Sequence, residues 1–259
     1  MKRSLLAKIS AFAVAIVMAF SMTACAFTDA ITAYGLYAKA AKTIKEAGGV
    51  ETDTVMTISM NILGGDISQA VNMNTKQNGK DNQTITTVNG VSTVTTTIGD
   101  YIYIESNGKG TKYHVTKESS ENDDGEEEKA LPELSKDIFE GIEVDKTEDG
   151  RRSITITVDE STAAEIMSGK MGEMEGTDVS ISGMVISFFF DKNGNLETMS
   201  ISCDMSITVL GMSIPAKVNA DMTFVNLGTA PEIALGLAEE EYEDGGEYTG
   251  DSGSYMDMF

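Results

Sequence analysis

Few side chains in this 259-residue chain are able to act as nucleophile, base or soft metal ligand: there are two cysteines, Cys25 and Cys203, and one histidine, His114. His114 follows Tyr113 in a stretch of strand character, and no Gly-x-Ser-x-Gly turn presents a serine to it. It reads as an ordinary strand histidine. Cys203 alternates with Ile201 and Met205 on the apolar side of a strand, where a thiol is a small buried hydrophobe rather than a thiolate. One histidine and one free cysteine do not make a zinc site. Asp191-Lys192-Asn193-Gly194-Asn195 has the residue types of a calcium loop, but its glycine comes fourth instead of sixth and no acid stands at the twelfth position. A hairpin turn is expected there. Gly108-Lys109-Gly110 lacks the following helix that a phosphate cradle requires. The sequence therefore implies no catalytic residues, no metal and no cofactor, and a chain that is not an enzyme. A hydrolase built on a pair of the 41 acids is the weakest reading.

Cys25 is different, because of what precedes it. Lys2, Arg3 and Lys8 give a positive start, Ile9 to Phe20 is almost wholly apolar, and small residues, Thr23 and Ala24, lead up to the cysteine. Charge, a greasy core too short to span a bilayer, and a small-residue cleavage site make a secretory signal over residues 1–24. Met22-Thr23-Ala24-Cys25 resembles the lipobox of bacterial lipoproteins, with Met22 where Leu is commoner. That resemblance implies a diacylglyceryl group on Cys25, a mature chain starting there, a tether over 25–29, and an extracytoplasmic address on the outer face of the cell membrane.

The net charge is −22 with the signal included, and the signal carries only cations. Phosphate backbones and anionic headgroups repel such a chain, so nucleic acid is excluded as a partner and the membrane must be held through the acyl anchor. With Cys25 taken by lipid, no internal disulfide remains, and stability must come from burial of apolar side chains. Methionine reaches 16 and tryptophan is absent.

The elements follow from periodicity. Thr28 or Asp29 can cap a helix that ends at Gly48-Gly49, its apolar face set by Ile31, Tyr34, Ala38, Ala41 and Ile44 or Lys45. From Val50 the period becomes two. Met56, Ile58, Met60 and Ile62 alternate, as do Ile67, Gln69, Val71 and Met73, with turns at Gly64-Gly65, Asn78-Gly79, Asn89-Gly90 and 107–110. This makes a six-strand antiparallel meander. Residues 118–129 are an acidic excursion. A short helix follows Pro132, strand alternation returns at 142–144 and 154–158, and Thr162 with Glu165 has the spacing of a capping box for a helix carrying Met167, Met171 and Met174. Gly169 and Gly172 weaken that helix. A second meander runs from Val179 to Val225. After Pro231 the chain is Gly/Glu/Asp-rich, and 231–259 is expected to remain an acidic disordered tail.

This order resembles the LolA-type lipoprotein-carrier superfamily, including the LppX/LprG-type lipoproteins and Met-rich lipoproteins of Gram-positive bacteria. The residues that carry it are the 34–44 helix, the Met56–Met73 hairpin, Asp100-Tyr101-Ile102-Tyr103, the Ile154–Met167 step, and Phe190-Asp191-Lys192-Asn193-Gly194 with its following strand. The resemblance implies an α+β domain over 30–230, an incompletely closed antiparallel β-barrel (a half-barrel) with helices over its concave face and acyl chains held beneath them. From the residues themselves, Met56, Ile58, Met60, Met73, Met199, Ile201 and Met205 on strands, facing Met167 and Met171, would line an adaptable apolar space. They would equally fill a solid core. About 14 methylenes at ~0.8 kcal/mol each supply ~11 kcal/mol, so an acyl chain needs no polar anchor. The expected function is a lipoprotein that binds or carries an acyl chain or other apolar ligand. The alternative is an envelope sensor or protein-interaction lipoprotein with a solid core and acidic contact segments, its protein partner unspecified.

Overall fold

The computed structural model describes residues 32–62, 65–115, 131, 134–139, 142, 144–168, 177–209 and 212–248. The signal, Cys25 and its tether, the acidic excursion 118–129, Met171, Met174 and residues 249–259 lie outside them, as does the side chain of Met167.

Helix α1 (Thr32–Ala47) leads into β1 (Gly49–Ile62), followed by β2 (Gly65–Asn78), β3 (Asp81–Val88), β4 (Val91–Ile98), β5 (Tyr101–Ser106) and β6 (Lys109–Val115). Gly48 ends the helix in the left-handed region (φ 68°), its N–H 3.2 Å from the oxygen of Lys45. Asn89-Gly90 and Asn107-Gly108 both hold paired positive φ angles (52° and 80°, 53° and 72°), the turn whose twist matches that of the flanking strands. After β7 (Asp145–Lys146) and β8 (Arg152–Val158) comes α2 (Glu160–Ser168), then β9 (Thr177–Phe190), β10 (Leu196–Val209), β11 (Met212–Val225) and β12 (Tyr242–Tyr248).

The twelve strands among the described residues share one sheet, in the order β12-β6-β5-β4-β3-β2-β1-β11-β10-β9-β8-β7. Its edges are β12 and β7, so it does not close on itself. β1 pairs with β2 on one side and with β11 on the other, from Glu51↔Val225 to Met60↔Ala216, which welds the two meanders into one surface. Every pairing is antiparallel except β12 with β6. In β9 an extra residue at Ser182-Gly183 (Gly183 φ 92°) separates the Ile181↔Met205 and Met184↔Cys203 pairs and keeps both on one face.

That face carries α1. The helix buries Ala33, Tyr34, Leu36, Tyr37, Ala40, Ala41 and Ile44. The buried stripe is therefore wider than Tyr34, Ala38, Ala41 and Ile44 alone, and Lys45 points to solvent. The aromatic contacts explain the turn of the helix. Tyr34 and Tyr37 stand 5.4 and 5.2 Å from the ring of Phe139, and Tyr37 stands 5.5 Å from Phe188 on β9. The segment after Pro132 is a 3-10 turn, Lys136–Phe139, and Leu131, Leu134 and Phe139 are buried.

Three further expectations are corrected. The cap of α2 is Asp159, not Thr162: its Oδ1 accepts the N–H groups of Ser161 and Thr162, each at 3.0 Å. The strand expected at 142–144 pairs only at Asp145–Lys146. Residues 231–248 are not a free tail. Pro231, Ile233, Leu235 and Leu237 are half-buried while Glu232, Ala234, Gly236 and Ala238 are exposed, so an extended strap crosses the sheet face opposite α1 and ends as β12.

Candidate functional site

Cross-strand register places the side chains proposed to line a pocket. Met56 faces Ala220 and Val71, Ile58 faces Val218 and Gln69, Met60 faces Ala216 and Ile67, and Met73 faces Thr54. Met199, Ile201 and Met205 of β10 face Met222, Ala220 and Ala216. All seven therefore lie on the helix side of the sheet, and all are buried within one core. Met56 and Ile58 are 0 % exposed, so no water-sized space touches them. In the same core, α1 contributes the rings of Tyr34 and Tyr37, which pack with Phe139 and Phe188.

The same face thins toward the strand ends that meet at residues 63–64 and 210–211. Ile67 is 36 % and Met212 58 % exposed, and Ile62, Ile181 and Ile214 are only half-buried against the core. Ile67 neighbours Met60 across β1–β2, and Ile214 neighbours Ile207 across β10–β11, so these residues form one apolar row continuous with buried Met60, Met205 and Ile207. Helix α2 packs on β9 beside this row, with Ala163 fully buried. The opposite face is more polar over the same strands, where Ser200 donates to Asp221 at 2.7 Å and Ser202 to Asn219 at 2.9 Å, although Val55, Val185 and Phe189 are exposed on it. A sheet so divided accepts hydrocarbon on one side and water on the other.

Cys203 is 1 % exposed, and burial, reinforced by Asp204, pushes its thiol up to about 11, so it stays protonated. Asp191 accepts the N–H groups of Asn193 and Asn195 at 2.7 and 2.8 Å, as a hairpin turn requires. His114 is exposed on the face opposite α1, with its ring 5.2 Å from Tyr101. Among the described residues, no three His, Cys, Asp or Glu side chains group as metal ligands.

A second surface was missed from the sequence. Beyond β2 the face away from α1 is covered as well: Gln83, Thr96 and Tyr103 on that side are buried beneath the strap, together with Tyr242 of β12, while Ile104 is buried on the α1 side. Gln83 donates to Thr96 Oγ1 at 3.1 Å and to the oxygen of Ala234 at 2.6 Å. Glu105 accepts the N–H of Gly236 at 3.0 Å and the hydroxyl of Tyr242. Tyr103 and Lys112 both donate to Glu239 Oε1, at 3.3 and 2.5 Å. Between strap and sheet opens a cleft of about 570 Å³. The signal was the alternation of Ile233, Leu235 and Leu237, hidden in acidic sequence.

No family model matches the chain, and no curated protein matches it. Solved structures do resemble it. The chain is similar to the lipoprotein LppX of Mycobacterium tuberculosis, at 13% identity over 77% of this chain and 97% of that one, with a TM-score of 0.40. It is similar to LprF of Mycobacterium bovis, at 15% identity over 76% and 98%, TM-score 0.32. A LolA superfamily protein of Nitrosomonas europaea matches at 10% identity over 76% and 96%, TM-score 0.26.

Proposed function

We propose that the chain is a non-enzymatic lipoprotein, tethered to the outer face of the cell membrane through Cys25, that holds an acyl chain or similar apolar ligand. The ligand lies on the helix side of the open sheet, taken as the concave face of a half-barrel, with α1 closing one end and α2 the other. One observation carries this reading: a fully buried apolar face gives way, within the same strands, to the half-exposed row of Ile62, Ile67, Ile181, Met212 and Ile214. Exposed apolar surface that runs continuously into a core marks a place where hydrocarbon is taken up. Methionines at its inner border, Met60 and Met205, have the flexibility to move aside for a chain of variable shape.

The competing reading is an envelope sensor with a solid core and acidic contact segments, and the tight packing around Met56 and Ile58 favours it. Organic extraction of protein made without residues 1–25 separates the two. A co-purifying acyl lipid, released only on unfolding, supports the carrier. Protein that folds, binds no lipid and takes up no added fatty acid overturns it.

A further inference from the structure

The cleft between the strap and the β5–β6 edge lies on the other side of the sheet from the apolar row, so its chemistry is separate. Three segments converge on it: β5 supplies Tyr101, β6 supplies Lys112 and His114, and the strap supplies Glu239, Glu240 and Asp244 over the buried ring of Tyr242. Tyr101 remains 38 % exposed. Its ring face already holds a cation, because the ammonium of Lys112 sits 4.0 Å from its centroid and 5.3 Å from that of Tyr103. Glu239 is satisfied by Lys112 and Tyr103, and Asp244 accepts the N–H of Gly246 at 2.9 Å. Glu240 is exposed and makes no ion pair among the described residues.

We propose that this cleft binds an organic ammonium. Aromatic faces attract cations through their quadrupole, most strongly where water is partly excluded. Carboxylates at the rim add attraction for the same sign of charge, and an acidic chain of net charge −22 raises the local cation concentration. Lys112 offsets the charge of Glu239, and Glu240 and Asp244 leave the rim net negative, so that it repels anions. A neutral ligand of the same shape gains the apolar contact without the electrostatic part.

Saturation-transfer NMR on the full lipidated chain in non-ionic detergent tests this, with choline as probe and 3,3-dimethylbutan-1-ol as its neutral isostere. Choline is expected to saturate and the isostere to bind about tenfold more weakly. Tyr101→Ala, at a partly exposed position, is expected to weaken choline about three- to tenfold with the melting temperature kept. Glu240→Gln is expected to weaken it, and Glu160→Gln on distant α2 to leave it unchanged. Equal binding of choline and isostere, no saturable binding, or equal losses in Glu240→Gln and Glu160→Gln would each overturn the proposal.

Discussion

Lys39 on α1 donates to the main-chain oxygen of Asn193 at 2.7 Å, and to Asn195 Oδ1 at 3.2 Å, across 154 residues of sequence. The helix is thereby pinned to the β9–β10 turn at the end of the sheet where the core is solid. Gly194 in that turn, with φ 76°, comes close to Leu36 of the same helix. Lys39→Met is expected to cost about 1 kcal/mol, since it removes hydrogen bonds at an exposed site. Urea unfolding would show this as a lower midpoint with an unchanged slope.

Acid should act on the same turn through Asp191. Burial opposes its charge, but the N–H groups of Asn195 and Asn193 outweigh this and hold its carboxyl below the usual carboxylate range. A depressed folded value means that the contribution is complete above the unfolded value of about 3.9 and is lost as pH falls through the folded one. Asp191→Ala should lower stability at neutral pH and flatten its decline in acid. Melting temperature against pH reads both effects.

The core over Phe188 predicts an asymmetric response to substitution. Phe188→Ala removes a fully buried ring in contact with Tyr37 and is expected to cost about 3–5 kcal/mol. Met56→Leu keeps the volume and should cost less than about 1.5 kcal/mol. Denaturant midpoints distinguish the two.

The strap rests on close approach. A Cβ at Gly110 would lie 2.5 Å from the ring of Tyr242, so Gly110→Ala is expected to lift β12 from β6 while leaving the α1 core intact. Hydrogen exchange should then accelerate in residues 242–248 and stay slow in β10. Alkali should act similarly. Burial, then the bond to Glu105, raises Tyr242 above the ordinary tyrosine range. Its contribution is therefore complete below about pH 10 and is lost as pH rises through the folded value. Tyr242→Phe should remove a tyrosine that titrates above the ordinary range from a spectrophotometric titration.

Alternation of Met56, Ile58 and Met60, and of Ile201, Cys203 and Met205, revealed both the strands and their buried face, because a period of two is local information. The pairing of β1 with β11 joins residues some 160 apart, and no local pattern encodes it. Asp159 was overlooked as the cap because Thr162 and Glu165 have the box spacing three residues further on. The strap was overlooked because composition outweighed the alternation of Ile233, Leu235 and Leu237. Among the proposed pocket residues, type and face were legible. Which of them are fully buried was not, since that depends on how α1 is turned over the sheet.

Where hydrocarbon sits on the protein is the most direct question. Protein lacking residues 1–25 can be loaded with a fatty acid carrying a diazirine, irradiated and digested, and the labelled peptides sequenced. Label concentrated on residues 62–67 and 212–214, and reduced by Ile67→Asp, is the predicted result. Label confined to the exposed apolar side chains of the opposite face, Val55, Val185 and Phe189, or no label above that of a denatured control, would contradict the account.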